Sequence, residues 1–169
     1  MTLTFRRIVT GHNAAGRSLL LTETRVAQGA LGNFNFWYGE PDAAPGAADQ
    51  SDAVPFFPAP GETVFRIFQL PPPDPAIGPE EIAAIARDFF AGVGWPGART
   101  DTSRHPLMHQ TPTTDYIVLL SGEVSLLLDE GEPIPLKPFD AVVQRATNHA
   151  WVVTGKEPAT LLCVMVGKP

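Results

Sequence analysis

The stretch H-Q-T-P-T-T-D-Y-I-V-L-L-S-G, residues 109–122, decides the fold. From Asp115 to Leu120 it alternates, so that Asp115, Ile117 and Leu119 share one face of a strand. Ser121-Gly122 then supplies a turn. Downstream the pattern repeats in short pieces. Strands are predicted over 124–128, 134–136, 141–144, 149–153 and 160–166, each separated by its own turn residues: Asp129-Glu130-Gly131, Pro138-Phe139-Asp140, Ala146-Thr147-Asn148 and Thr154-Gly155-Lys156. That is a meander of short antiparallel strands.

Upstream the signals are sparser. Residues 18–22, 33–38 and 63–70 read as strands, and residues 39–60, rich in Pro, Ala, Asp and Gly, read as a surface loop. Within 33–38, Phe34, Phe36 and Tyr38 alternate with Asn33, Asn35 and Trp37. One helix is predicted over Pro79–Gly92. Pro79 suits its first position, Glu80 and Glu81 its positive end, and Ile82, Ile85, Ala86, Phe89 and Phe90 form one apolar stripe. His12, in G-H-N-A-A-G, reads as part of a turn. The whole chain, residues 1–169, is expected to be one all-β domain. An N-terminal part (1–100) holds strands, loop and a surface helix, and the barrel motifs occupy 101–169.

Composition narrows the function. The net charge is −6, which disfavours nucleic acid and anionic membranes as partners. No apolar run reaches the roughly 18 residues needed to span a bilayer, and Met1–Arg7 has no apolar core after its arginines, so the expected compartment is the cytoplasm. The single cysteine, Cys163, falls in an apolar run and reads as a packing thiol.

Three polar side chains do not belong in a core. Asp115 shares its face with Ile117 and Leu119, and His149 shares its own with Trp151 and Val153, so both point inward. An inward charge needs a partner. His109 and Asp115 would stand about 20 Å apart on one extended strand. Pro112 breaks that strand, and a hairpin there would set His109 and Asp115 on adjacent arms. Two imidazoles and a carboxylate suit a divalent metal (Fe, Zn, Mn or Ni). A metal-free hydrogen-bonded network is the alternative for the same trio.

Residues 109–160 resemble the conserved barrel of the cupin superfamily. His109 matches the first histidine of the first cupin motif, Asp115 its acid and Gly122 its glycine. Pro138 and Asp140 mark the turn of the second motif, and His149 matches its histidine. Thr111 stands in place of the second histidine, Asp115 in place of a glutamate, Phe139 in place of a glycine and Val153 in place of an asparagine. The wording H-x-T-x-T-x-D-Y and V-V-Q-R-x-T-N-H-A-W is similar to that of a subgroup of small cupins from bacteria and fungi.

The resemblance implies an antiparallel double-stranded β-helix, or jelly-roll, with a metal on His109, Asp115 and His149. Thr111, Tyr116, Gln144 and Trp151 are candidate substrate contacts; His105 is a spare imidazole in a loop, and Arg145 an exposed neighbour. The expected partner is a small organic acid or a phenolic or polyketide-like compound, acted on by an oxygenase, or else by a decarboxylase, isomerase or cyclase. A non-catalytic small-molecule-binding cupin is the competing expectation. A homodimer is also expected, built on the strands 33–38 and 63–70.

Overall fold

A computed structural model describes residues 3–40 and 54–168. Among the described residues ten strands form three antiparallel sheets: β1 (Thr4–His12), β2 (Ser18–Ala27), β3 (Asn33–Gly39), β4 (Thr63–Leu70), β5 (Thr113–Ser121), β6 (Val124–Leu128), β7 (Ile134–Leu136), β8 (Ala141–Arg145), β9 (His149–Val153) and β10 (Ala159–Gly167). One sheet runs β3-β4-β10-β5-β8, a second β7-β6-β9, and β1-β2 stands as a hairpin. The fold is an antiparallel jelly-roll, as the sequence leads one to expect.

The two larger sheets face each other over one core. Val64, Ile117, Leu119, Leu161, Cys163 and Met165 come from the five-stranded sheet, and Val124, Leu126, Trp151 and Val153 from the three-stranded one. Strict alternation puts them there: in β5 the inward residues Thr113, Asp115, Ile117 and Leu119 are buried, whereas Tyr116 points out and is 52 % exposed. The β5–β6 turn needs its glycine. Gly122 has φ +88°, and a Cβ there would lie 2.7 Å from the Ala159 Cα.

Several expectations are corrected. His12 is the last residue of β1, whose partner β2 extends to Ala27, so the N-terminal hairpin is much longer than the 18–22 strand read from sequence. In β3 both alternating sets near its start are buried, Asn33 and Asn35 as well as Phe34 and Phe36. The reason is a cover on the outer face: Val26 and Phe5 of the hairpin pack on Phe34, Phe36 and Ile67. Most of the 39–60 loop, residues 41–53, lies outside the described residues; its end does not stay on the surface, because Val54 and Phe57 pack against the core.

The helix α1 (Pro79–Gly92) has the predicted bounds and buries Ala86 and Phe90. It ends where Gly94 takes φ +81° and the Trp95 N–H donates to the Phe90 carbonyl at 2.8 Å.

Candidate functional site

The segment 109–115 crosses between sheets and forms no hairpin. His109 pairs with His149 of the three-stranded sheet, and the two backbones exchange hydrogen bonds of 2.8 and 2.9 Å. Asp115 lies in β5 of the facing sheet, opposite Met165 and Gln144. Thus Pro112 marks a passage over the barrel's edge. The histidines and the carboxylate belong to opposite walls of one cavity, not to adjacent strands.

Both imidazoles are held in the same way. His109 Nδ1 lies 2.9 Å from the Leu107 carbonyl oxygen, and His149 Nδ1 lies 3.0 Å from that of Thr147. A carbonyl only accepts, so each Nδ1 carries the proton and each neutral ring keeps a lone pair on Nε2. The ring centroids are 4.4 Å apart. Burial is the chief force on both groups: it lowers the His109 pKa and takes that of His149 down to about 3, with His109 adding to the second shift. Both rings are therefore neutral near pH 7.

Local structure explains the fixity of His149. It follows a tight turn in which Ala146 adopts φ +56°. Gln110 Nε2 donates to the Ala146 carbonyl at 2.7 Å, and Gln144 Nε2 donates to the Thr147 carbonyl at 3.0 Å and to the Thr147 hydroxyl. Asn148 Nδ2 donates to Asp129 Oδ1 at 2.7 Å and to the Asp101 carbonyl at 2.9 Å. Pro138 and Asp140 lie in the turn expected between β7 and β8, where the Lys137 N–H donates to Asp140 Oδ2 at 2.8 Å.

Asp115 is 4 % exposed. Its Oδ2 accepts from the Thr111 hydroxyl at a long 3.4 Å, and that hydroxyl accepts from Thr113 at 2.9 Å. Its Oδ1 is buried without a hydrogen-bond partner among the described residues. Burial raises its pKa to about 6, against the opposing pull of the Thr113 and Thr111 hydroxyls and the charges of Arg66 and Lys168.

These groups line a cavity of about 440 Å³ together with Arg66, Cys163 and Trp151. That volume suits a small organic molecule. Its walls are mainly apolar, and aromatic rings lead inward along one side. Phe56 meets Phe89 at 5.2 Å, Phe90 meets His109 at 4.8 Å, and His149 meets Trp151 at 5.7 Å. Helix α1 covers part of it with Ile85, Ala86, Phe89 and Phe90.

Of the candidate contacts, Thr111 and Trp151 line this cavity. Tyr116 does not, because it lies on the outer face of β5. Gln144 is buried, but its amide is spent on the turn before His149. His105 holds a loop, its Nδ1 accepting from the Leu107 N–H at 3.1 Å. Arg145 is exposed, as expected. Cys163 is buried with its pKa raised by desolvation, which leaves an unreactive thiol.

Arg66 was missed. It is 2 % exposed, and it follows the register of Val64 on the inward face of β4. An arginine at an inward position of T-V-F-R-I-F-Q-L is the same signal that singled out Asp115.

A profile of the cupin domain matches residues 95–165. The phomopsin biosynthesis cluster protein C' of Diaporthe leptostromiformis is 32 % identical over 150 residues, covering 86 % of this chain and 68 % of the relative. The chain belongs to the cupin superfamily. The cupin-domain-containing oxidoreductase fogC of Aspergillus ruber is 28 % identical over 163 residues, covering 95 % of this cupin and 71 % of that protein. Among solved structures, the DMSP lyase DddQ of Ruegeria pomeroyi aligns with a TM-score of 0.39 and 17 % identity, over 62 % of this chain and 38 % of that one.

The superfamily implies a metal, and the residues fit it only in part. The two imidazoles offer free Nε2 lone pairs with Nδ1–H anchored on carbonyls, the arrangement that orients metal-binding histidines. Among the described residues, however, no three His, Cys, Asp or Glu side chains gather as one ligand set. Asp115 faces the pair from the other sheet and does not join it as the side chains stand. No helix among the described residues is long and apolar enough to cross a membrane.

Proposed function

We propose that this cupin is an oxidoreductase-type enzyme that takes a small, largely apolar organic molecule into its cavity and reacts it beside His109 and His149. One observation supports this above the others: two neutral imidazoles, each with its Nδ1–H on a carbonyl, present their free nitrogens to a cavity of small-molecule size. The oxidoreductase named among its relatives supports the reaction class. The proposal includes a divalent ion on the two histidines, which would supply Lewis-acid or redox chemistry. Everything else falls to the chain's own groups. The apolar walls exclude water, Trp151 and Phe90 bracket the histidine pair, and the free Oδ1 of Asp115 accepts a proton or a hydrogen bond from the bound molecule.

A second reading, a binding cupin without catalysis, is favoured by the missing third ligand and by Thr111 where a histidine is expected. One experiment separates the two. The protein is stripped with chelator, reloaded with Fe(II), Mn(II), Ni(II) or Zn(II), and assayed for oxygen uptake and product with a panel of phenolic and keto acids. The enzyme reading expects about one ion per chain and turnover that disappears on stripping. Ligand binding without turnover under any ion supports the binding module instead.

A further inference from the structure

Arg66 is a buried cation whose partners are too few. Its Nη2 donates to the Pro55 carbonyl at 3.0 Å, and its guanidinium carbon lies 5.1 Å from the centre of the Phe56 ring. Its Nε has no hydrogen-bond partner among the described residues. No carboxylate among those residues forms an ion pair with it; the salt bridges there, Arg6–Glu23 and Arg87–Asp88, lie elsewhere. Yet it lines the cavity at 2 % exposure. An arginine cannot shed its charge at ordinary pH, and a buried charge without a counter-ion is costly.

The register shows where that charge stands. Arg66 is opposite Cys163, which is opposite Ile117, so Arg66 is two strands from β5, and Asp115 is one pair of residues along. Two strand spacings make about 10 Å. Asp115 acts on Arg66 by charge but forms no ion pair with it among the described residues, and the guanidinium Nε stays open. Phe56, Phe68, Phe89 and Met165 form apolar walls of the cavity that Arg66 lines, and Asn35 stands opposite Arg66 on β3. The guanidinium's planar fork matches a carboxylate in two parallel hydrogen bonds.

We propose that Arg66 is the anion-recognising residue of this cavity, and that its ligand is an apolar, ring-bearing carboxylic acid whose carboxylate docks on the guanidinium while its body lies among the phenylalanines. The proposal rests on the reading of the cavity as a small-molecule site, and it adds the charge that molecule carries and the residue that selects it. The ordering follows from the walls. With the carboxylate on β4, the rest of the molecule extends toward the histidines and Trp151 on the opposite sheet.

The test compares 1-naphthoate with 1-naphthamide, equal in shape and differing in charge, by titration calorimetry against the full chain. The expected result is binding of the acid at least about tenfold tighter than the amide, a difference of about one charge-assisted pair. In Arg66→Met the preference should vanish through weaker acid binding, with amide binding retained; Arg66→Lys should restore part of it. Equal affinity of wild type for acid and amide overturns the role of Arg66 while leaving the small-molecule reading standing. Binding of neither probe overturns both. The wild-type comparison needs no variant to fold.

Discussion

His149→Ala is expected to lower the affinity for a divalent ion at least about a hundredfold and to abolish turnover, while the chain still folds. Changes to groups that merely orient metal ligands cost about 10- to 100-fold in affinity, so loss of one imidazole of a pair should cost no less. The fold should survive, because the bonds that tie residue 149 to His109 run through the backbone, at 2.8 and 2.9 Å, and the preceding turn is held by Gln110, Gln144 and Asn148. Plasma mass spectrometry of the reloaded protein reads the metal. His105→Ala is the control: its ring holds a loop outside the cavity lining, so metal content should not change. Equal losses in both variants would point to general damage and would remove the pair from its central place.

Leu161→Ala is expected to cost about 2–5 kcal/mol of stability, the range for a fully buried leucine. Leu161 has no exposed surface and stands in β10 between Phe68 of β4 and Leu119 of β5, at the centre of the face that meets the small sheet. For a chain of this size each kcal/mol lowers Tm by about 2–4 °C, so thermal unfolding resolves the change easily. Tyr116→Ala on the outer face of the same sheet is the contrast, 52 % exposed and expected to fall within about 0.5 kcal/mol. Similar losses at both positions would mean that the inward and outward faces of β5 are wrongly assigned.

Much of this arrangement is legible in the amino-acid order, and what is not has a physical reason. Period-two alternation places Asp115 with Ile117 and Leu119, and His149 with Trp151, because it depends only on neighbours along the chain. The bounds of α1 and β4 follow from equally local signals, a proline at one end and an apolar stripe or run between breakers. Strand pairing is not local. Pro112 announces a break, but a hairpin and a crossing between sheets begin alike, and only the partners of His109 and Asp115 distinguish them. The burial of Phe34 and Phe36 on the face opposite Asn33 and Asn35 is not local either, since it depends on a hairpin far upstream folding over β3. Tyr116 suits a ligand contact by its chemistry, but the alternation that turns Asp115 inward turns it outward. Arg66 obeys the same rule, though its apolar and aromatic neighbours in β4 mask the signal.

The histidine pair is tested most directly by the ring nitrogens themselves. In metal-free protein labelled with nitrogen-15, long-range proton–nitrogen spectra report which ring nitrogen carries the proton and when the ring charges. Burial lowers both pKa values, that of His149 to about 3. A ring with a lowered folded pKa resists protonation that the unfolded chain accepts. Its contribution to stability is therefore present above the unfolded value, about 6.5, and declines as pH falls below it. The account predicts two neutral Nδ1–H rings at pH 7, with His149 still uncharged at pH 5.5 while the fold persists. Either ring protonated on Nε2 at pH 7, or titrating near 6.5 in the folded protein, would contradict it.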